Sequence, residues 1–320
     1  MTLLSFVIPC YRSEKTIRPV TEEIIKTVSE REGYDYEIIC VNDGSPDNVY
    51  SVLRQLAEEN PKIKVISFAK NMGKHSAVLA GYRFVSGRYV VTLDDDMQSP
   101  TYELWKLIEP LERDECDVAN SRYSVKKQAF WKNIGSSFNN WVSMILLDKP
   151  KGMDHGGNFG ACKRFVVDEM AKYPNPYPYL EGLMLRTTRR IMMIDMQERE
   201  RGDDNKTGYT FFKSVALFAN GFTAFSVLPL RVSTIVGIVV AILGFVLGII
   251  MIVQKLVNPG VLVGYTSTMV VQLFMSGLIL MSLGMLGEYV GRIYICINKS
   301  PQYVIRETIN LSGEKQREDY

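Results

Sequence analysis

Hydrophobic and polar positions along the first 120 residues alternate between two periods. Residues 3–9, LLSFVIP, form an apolar run that reads as a buried strand. Over 14–31 the apolar positions become Ile17, Val20, Ile24, Ile25 and Val28, the spacing of a helix with one buried face. The same alternation repeats as a strand at 36–43, a helix at 48–59 with Asp47 as its N-cap, and a strand at 64–69. A helix at 74–86 ended by Gly87, a strand at 88–94, a helix from about Thr101 and a strand at 116–121 complete it. Such a βαβα order predicts an α/β, doubly wound, mainly parallel sheet. Ligands bind outside the carboxyl ends of the strands in these sheets. Attention therefore falls on Pro9 to Glu14, Asp43 to Ser45 and Asp94 to Gln98.

The pattern changes in the C-terminal third. Residues 232–253 carry no charge, and 22 residues at about 1.5 Å each span about 33 Å, enough for a bilayer core. A second run, Met269 to Leu286, is uncharged and broken only by Gln272 and two serines, a weaker signal than the first. Together they predict a two-helix transmembrane hairpin at about 232–253 and 269–290. Arg231 precedes it, Arg292, Lys299 and Arg306 follow, and the connecting loop has only Lys255. Cytoplasmic flanks favour positive charge, so a multi-pass protein of the inner (cytoplasmic) membrane is expected, with the N-terminal domain and both termini cytoplasmic. Met1 to Pro9 is too short an apolar run for a signal peptide. The expected division is a catalytic domain at 1–228, a hairpin at 229–297 and a tail at 298–320. Two aromatic, amphipathic segments, 129–147 and 209–228, read equally as core helices or as interfacial helices on the bilayer.

Composition narrows the chemistry. A net charge of +2 argues against a nucleic-acid binder. The five cysteines show no CxxC spacing, and two histidines exclude a multi-histidine metal site. His75, opening a helix, reads as a hydrogen-bonded structural residue. VTLDDDMQSP, residues 91–100, remains unusual, because it crowds three carboxylates at the end of an apolar strand. A second acidic turn, VNDGS, ends another strand of the same sheet. Asp94 and Asp96 could both reach one hard cation, Mg2+ or Mn2+, which takes oxygen ligands and leaves room for phosphate.

VIPCYRSE, VNDGSPDN, NMGKHSAVLAGYRFVSGRYVVTLDDDMQSP and LGEYVGRIY, with the two apolar runs, resemble family-2 (GT-A) glycosyltransferases. They are most similar to the branch that charges polyprenyl phosphate with a sugar: bactoprenol glucosyltransferases, undecaprenyl-phosphate aminoarabinose transferases and dolichol-phosphate mannose synthases. That resemblance implies a nucleotide pocket at Pro9, Tyr11, Glu14 and Asp43, with Lys70 and Lys74 in a nearby loop. It implies that Asp94 faces ribose and metal, that Asp96 coordinates the metal, and that Gln98 lies beside it. Asp95 falls in the nucleotide set as a spacer facing away, where the family usually has a small residue; on that reading Asp95→Ala is tolerated. Arg122 matches an arginine holding the acceptor phosphate, Lys132 lies near a second basic acceptor residue, and Arg199, with Lys206 nearby, matches a mobile-loop arginine. The chain departs from the family where relatives carry a GDF-like aspartate. An ungapped match puts Gly157 there, and Asp154 is the nearest carboxylate.

The implied activity is inverting transfer from a nucleotide-sugar, a UDP-sugar rather than a GDP-sugar, to undecaprenyl phosphate, for envelope glycan or lipopolysaccharide modification. The implied assembly is a homo-oligomer, a tetramer being one option. Two alternatives stand beside this reading. A processive polysaccharide synthase usually carries a QxxRW-type motif and more spans, neither of which is present. A non-catalytic nucleotide-binding scaffold would have less reason to keep Pro9, Asp43, Asp94, Asp96 and Arg122 together.

Overall fold

The computed structural model describes residues 1–123, 156–176, 178–197, 199, 228–257, 264–298 and 300–311. It divides into two compact units: residues 1–209 with 299–320, and residues 210–298. The first unit follows the expected alternation: β1 (Thr2–Cys10), α1 (Ile17–Ser29), β2 (Tyr34–Asn42), α2 (Val49–Glu59), β3 (Ile63–Phe68), α3 (Lys74–Tyr82) and β4 (Tyr89–Thr92). After a short 3-10 turn, Thr101–Glu103, come α4 (Leu104–Glu112), β5 (Val118–Tyr123), β6 (Gly156–Lys163), α5 (Arg164–Ala171), α6 (Leu180–Thr187) and β7 (Ile191–Met196). A last strand, β8 (Ile305–Ile309), comes from the C-terminal segment.

These strands form one eight-stranded sheet in the order β7-β5-β6-β4-β1-β2-β3-β8. β3, β2, β1 and β4 are mutually parallel. β6 runs antiparallel to both β4 and β5, and β8 antiparallel to β3, so the sheet is mixed. β1 is the topological switch point: the chain winds from it to β2 and β3 on one side, then crosses to β4 on the other. Ligand crevices open at such points. The helices bury the faces that their periodicity marks, Ile17, Val20, Ile24 and Val28 on α1 and Leu104, Leu107, Ile108 and Leu111 on α4.

Several local expectations change. α3 ends at Tyr82, so Gly87 is not its cap. A Cβ at Gly87 would lie 2.7 Å from the Leu3 carbonyl oxygen and from Ser5 Oγ, so a close backbone approach explains this glycine. The N-cap of α2 is Asn48, and Asp47 lies one residue before it. The fifth strand begins at Val118 instead of 116. The expected tail is built into the sheet: β8 covers the β3 edge, Tyr303 stacks on Phe68 with ring centroids 5.0 Å apart, and Asn310 Nδ2 donates to the carbonyls of Ala57 and Ile63. Sequence periodicity could not reveal this, because five residues paired at an edge carry little pattern of their own.

Glu37 of β2 forms a knot under the sheet's centre. Its buried carboxylate accepts from Ser5 Oγ, the Ser86 N–H and Lys64 Nζ, while Gly87 N–H donates to Ser5 Oγ. The α3–β4 connection is thereby fastened to β1 and β2.

The second unit contains two long helices, α7 (Leu228–Val257) and α8 (Tyr265–Ile297). Ser233 and Ser282 Oγ lie 2.9 Å apart between them. Large apolar side chains, Phe245 and Phe274 among them, are exposed. Among the described residues, Phe274–Ile297 is long and apolar enough to cross a bilayer, and Ser233–Val246 is a shorter apolar stretch. The second run, weaker in the sequence, thus carries the longer described span, within α8. The segments 129–147 and 209–227 lie outside the described residues.

Candidate functional site

Three loops meet at the carboxyl ends of β1, β2 and β4. After β1 the chain bends sharply, with Arg12 at φ 59°; after β4, Met97 sits at φ 64°. Both are non-glycine residues in the left-handed region, which costs of order 1–3 kcal/mol each and clusters at functional sites. After β2, Gly44 has φ 57°, and a Cβ there would lie 2.6 Å from the backbone of Lys70 and Asn71. Only glycine lets the β2 and β3 loops pack this closely.

Asp43 supports that packing. Its carboxylate accepts the Met72 N–H at 2.7 Å and the Gly73 N–H at 2.9 Å, shaping the entry to α3. Burial pushes its pKa up, and the two N–H groups oppose this. Glu14, expected in the nucleotide pocket, accepts the Asn48 N–H through Oε2 at 3.2 Å, and its own N–H donates to Asp47. Tyr11 is exposed on the rim, with the Arg12 guanidinium 5.5 Å from its ring centroid. Pro9 lies within β1, paired with Val41.

The three aspartates separate. Asp94 is bonded by Lys74 Nζ at 2.5 Å and by Asn158 Nδ2 of β6 at 2.8 Å. Burial raises its pKa, the Asp96 charge adds to this, and Lys74 opposes it. Asp96 accepts the Gln98 N–H at 3.1 Å. Asp95 is not an idle spacer: its Oδ2 accepts the Tyr11 N–H at 2.9 Å, tying the β4 loop to the β1 loop across the switch point. Burial pushes Asp95 up to about 6. Its side chain is thus turned toward the Tyr11 backbone.

Among the described residues no three histidine, cysteine or carboxylate groups converge as a ready-made metal cage. Asp94 and Asp96 nevertheless fit a hard divalent ion of the kind held by one or two carboxylates with substrate phosphates and water. Burial, and after it the Asp96 charge, raises Asp94, and a bound cation would relieve both.

β5 runs in the same direction as β4, so Arg122 near its carboxyl end lies on the same rim. It forms a two-pronged pair with Asp195 of β7, Nε to Oδ1 at 2.6 Å and Nη2 to Oδ2 at 3.0 Å. Arg199 does not stand alone either. Its guanidinium grips Glu23 of α1 through two bonds of 2.7 Å and lies 4.9 Å from the Tyr102 ring centroid, and its N–H donates to the Gln98 carbonyl. Lys132, Asp154 and Lys206 lie outside the described residues. His75 departs from its expected role: its Nδ1 is buried with no hydrogen-bond partner among the described residues, and its ring meets Tyr179 edge-on at 5.8 Å. Burial lowers its pKa to about 4, so the imidazole is neutral near pH 7.

Gly157, which an ungapped match sets at the GDF-like aspartate, has little room around it. A Cβ there would lie 2.2 Å from Ser121 Oγ and 2.4 Å from the Tyr123 ring, so no side chain fits at this position without movement. The residue that touches the site is its neighbour Asn158. Asn158 and Asp195 both escaped the sequence reading; an asparagine in GGNFG and an acid within an apolar strand carry no motif.

Residues 5–170 match the profile of glycosyl transferase family 2, and residues 228–293 match the GtrB C-terminal hairpin. The chain is similar to an undecaprenyl-phosphate 4-deoxy-4-formamido-L-arabinose transferase of Proteus mirabilis, 31% identical over 99% of this chain and 97% of the relative. It is also similar to a bactoprenol glucosyl transferase of Shigella phage SfV, 31% identical over 98% of this chain and 99% of the relative. Among solved structures, mannosyl-3-phosphoglycerate synthase from Rubrobacter xylanophilus aligns with a TM-score of 0.48 at 14% identity, over 68% of this chain and 71% of that one. With an α/β sheet whose acidic rim lies at the switch point, and a family match over more than half its length, the chain belongs to glycosyl transferase family 2.

Proposed function

We propose that this glycosyltransferase moves a sugar from a UDP-sugar to undecaprenyl or another polyprenyl phosphate, with inversion at the anomeric carbon. The observation that carries the reading is the composition of one rim. Asp94 and Asp96 stand at the β1–β4 switch point, Lys74 stands beside them, and the Arg122 fork lies at the end of β5. This arrangement suits two anionic partners, a nucleoside diphosphate and a phosphate acceptor. The names of the Proteus and Shigella phage relatives support a polyprenyl phosphate as acceptor.

Asp94 and Asp96 would hold a divalent ion, which supplies neutralising charge for the departing diphosphate. The Asp95–Tyr11 tie keeps the nucleotide loop closed against the rim, and Lys74 places a positive charge beside Asp94. No general base is needed at position 157, because a phosphate acceptor is already anionic near pH 7. The closure of that position by Ser121 and Tyr123 is compatible with base-free attack. Arg122, joined by Lys132, orients the acceptor phosphate.

The hairpin at 228–293 supports a membrane-bound enzyme whose acceptor stays in the bilayer. Chain connectivity supports placement of both ends on one side of the membrane. The chain leaves the sheet-containing unit after residue 209 and returns to it as β8, so any membrane crossings between must be even in number.

The test incubates membranes containing the full chain with labelled UDP-sugars or GDP-mannose and undecaprenyl phosphate. Label is expected in the lipid fraction from a UDP-sugar, dependent on Mg2+ or Mn2+ and abolished by chelation. Long polymer, or nucleotide binding without turnover, refutes the proposal.

A further inference from the structure

We infer that Asp195 is a positioning residue, which aims the Arg122 guanidinium so that its outer N–H groups receive a phosphate. The inference rests on the reading of Arg122 as the acceptor-phosphate arginine. Its geometry is independent of that reading. β5 and β7 pair in unbroken parallel register from Val118↔Ile191 to Tyr123↔Met196, with Arg122 directly opposite Asp195. On the other side of β5 the register breaks: Asn120 pairs with Gly160 but Arg122 pairs with Gly156, so β6 bulges there. A bulge turns side chains from their regular directions. The regular β7 side, and not the bulged β6 side, carries the partner of Arg122.

The atoms used decide what remains. Asp195 takes the side edge of the guanidinium, through Nε and Nη2. Arginine has five N–H donors in a rigid plane. The side-on pair occupies two, leaving both hydrogens of Nη1 and the second hydrogen of Nη2. One hydrogen of Nη1 and the remaining one of Nη2 point from the end of the fork, the edge that grips a phosphate with two parallel bonds. An acceptor phosphate need not displace Asp195 to bind. The carboxylate fixes the plane of the fork and, among the described residues, leaves its outer edge open to a second anion.

The sign of the effect separates this role from simple electrostatics. An acid close to a phosphate site repels the phosphate, so removing its charge should tighten binding if Asp195 does nothing else. A positioning role predicts the opposite. The experiment measures equilibrium binding of undecaprenyl phosphate to the purified full chain in detergent, for the wild type, Asp195→Asn, Arg122→Ala and the double variant. Melting temperature is recorded for each. Asp195→Asn is expected to weaken binding roughly threefold to fivefold, the scale of an exposed ion pair, with an unchanged melting temperature. In the Arg122→Ala background the same change is expected to have no further effect. Unchanged or tighter binding by Asp195→Asn overturns the inference, and so does an equal loss in both backgrounds. If Arg122→Ala alone binds the lipid as the wild type does, the assignment of Arg122 to the acceptor fails first, and the inference falls with it.

Discussion

Asp95→Ala tests how the rim is held together. Its carboxylate accepts the Tyr11 N–H at 2.9 Å, and Tyr11 is followed by Arg12 in the left-handed conformation. The tie therefore helps to hold a strained turn. A hydrogen bond to a charged group contributes about 1.5–3 kcal/mol net. If the freed loop must be reordered each time nucleotide binds, that amount is drawn from affinity, and Kd rises roughly tenfold to a hundredfold. Asp95→Asn keeps an acceptor oxygen but loses the charge; a neutral bond contributes about 0.5–1.5 kcal/mol, so its defect should lie between wild type and alanine. Calorimetric titration with UDP, with GDP in parallel, in the presence of Mn2+ gives both values. The order wild type, Asn, Ala in increasing Kd is expected. An alanine variant binding within twofold of wild type would refute the reasoning and return Asp95 to the role of a spacer.

Asp96→Asn should abolish label transfer to lipid at any metal concentration, checked by the same membrane assay, while leaving the melting temperature close to wild type. Gly157→Ala should destabilise the protein by about 1–3 kcal/mol, the scale of overpacking, because its methyl meets Ser121 and Tyr123; thermal melting in detergent reads this. Glu37 is held below the ordinary carboxylate value: burial pushes it up, but Lys64, Ser5 and the Ser86 N–H more than offset this. Its contribution is therefore present above the unfolded value near 4.5 and lost as pH falls through the lower folded one. Glu37→Gln should cost about 3–5 kcal/mol at pH 7, because Lys64 is left without its partner charge, and should flatten the acid limb of melting temperature against pH. Tyr303→Ala should cost about 3 kcal/mol by removing a buried ring stacked on Phe68, detected as earlier melting of the sheet-containing unit.

Much of the fold was legible because burial writes periodicity into the chain. β1 to β4 and the helices between them came from apolar runs and 3–4 spacing, with errors of a few residues at their ends. The errors have local causes. Gly87 looked like a helix stop because glycine commonly ends helices, but here it admits the β1 backbone. The antiparallel directions of β6 and β8 were not legible, since direction depends on how distant segments meet and not on their own pattern. The C-terminal segment illustrates this best: only contact with Phe68, Ala57 and Ile63 gives residues 303–310 their structure.

The candidate site divides in the same way. Residues that act through a loop carrying several polar groups, Asp43 or Asp94 to Gln98, announce themselves by crowding charges where the apolar pattern stops. Residues that act through one partner do not. Asp195 pairs with Arg122 across 73 positions of sequence, Arg199 with Glu23 across 176, and nothing near Asp195 or Glu23 marks either as special. Asp95 stands between these cases. Its position in the triplet was evident, but its task depends on the Tyr11 N–H, 84 residues away. A carboxylate within the triplet can still shape the rim, through the backbone it holds in a neighbouring loop.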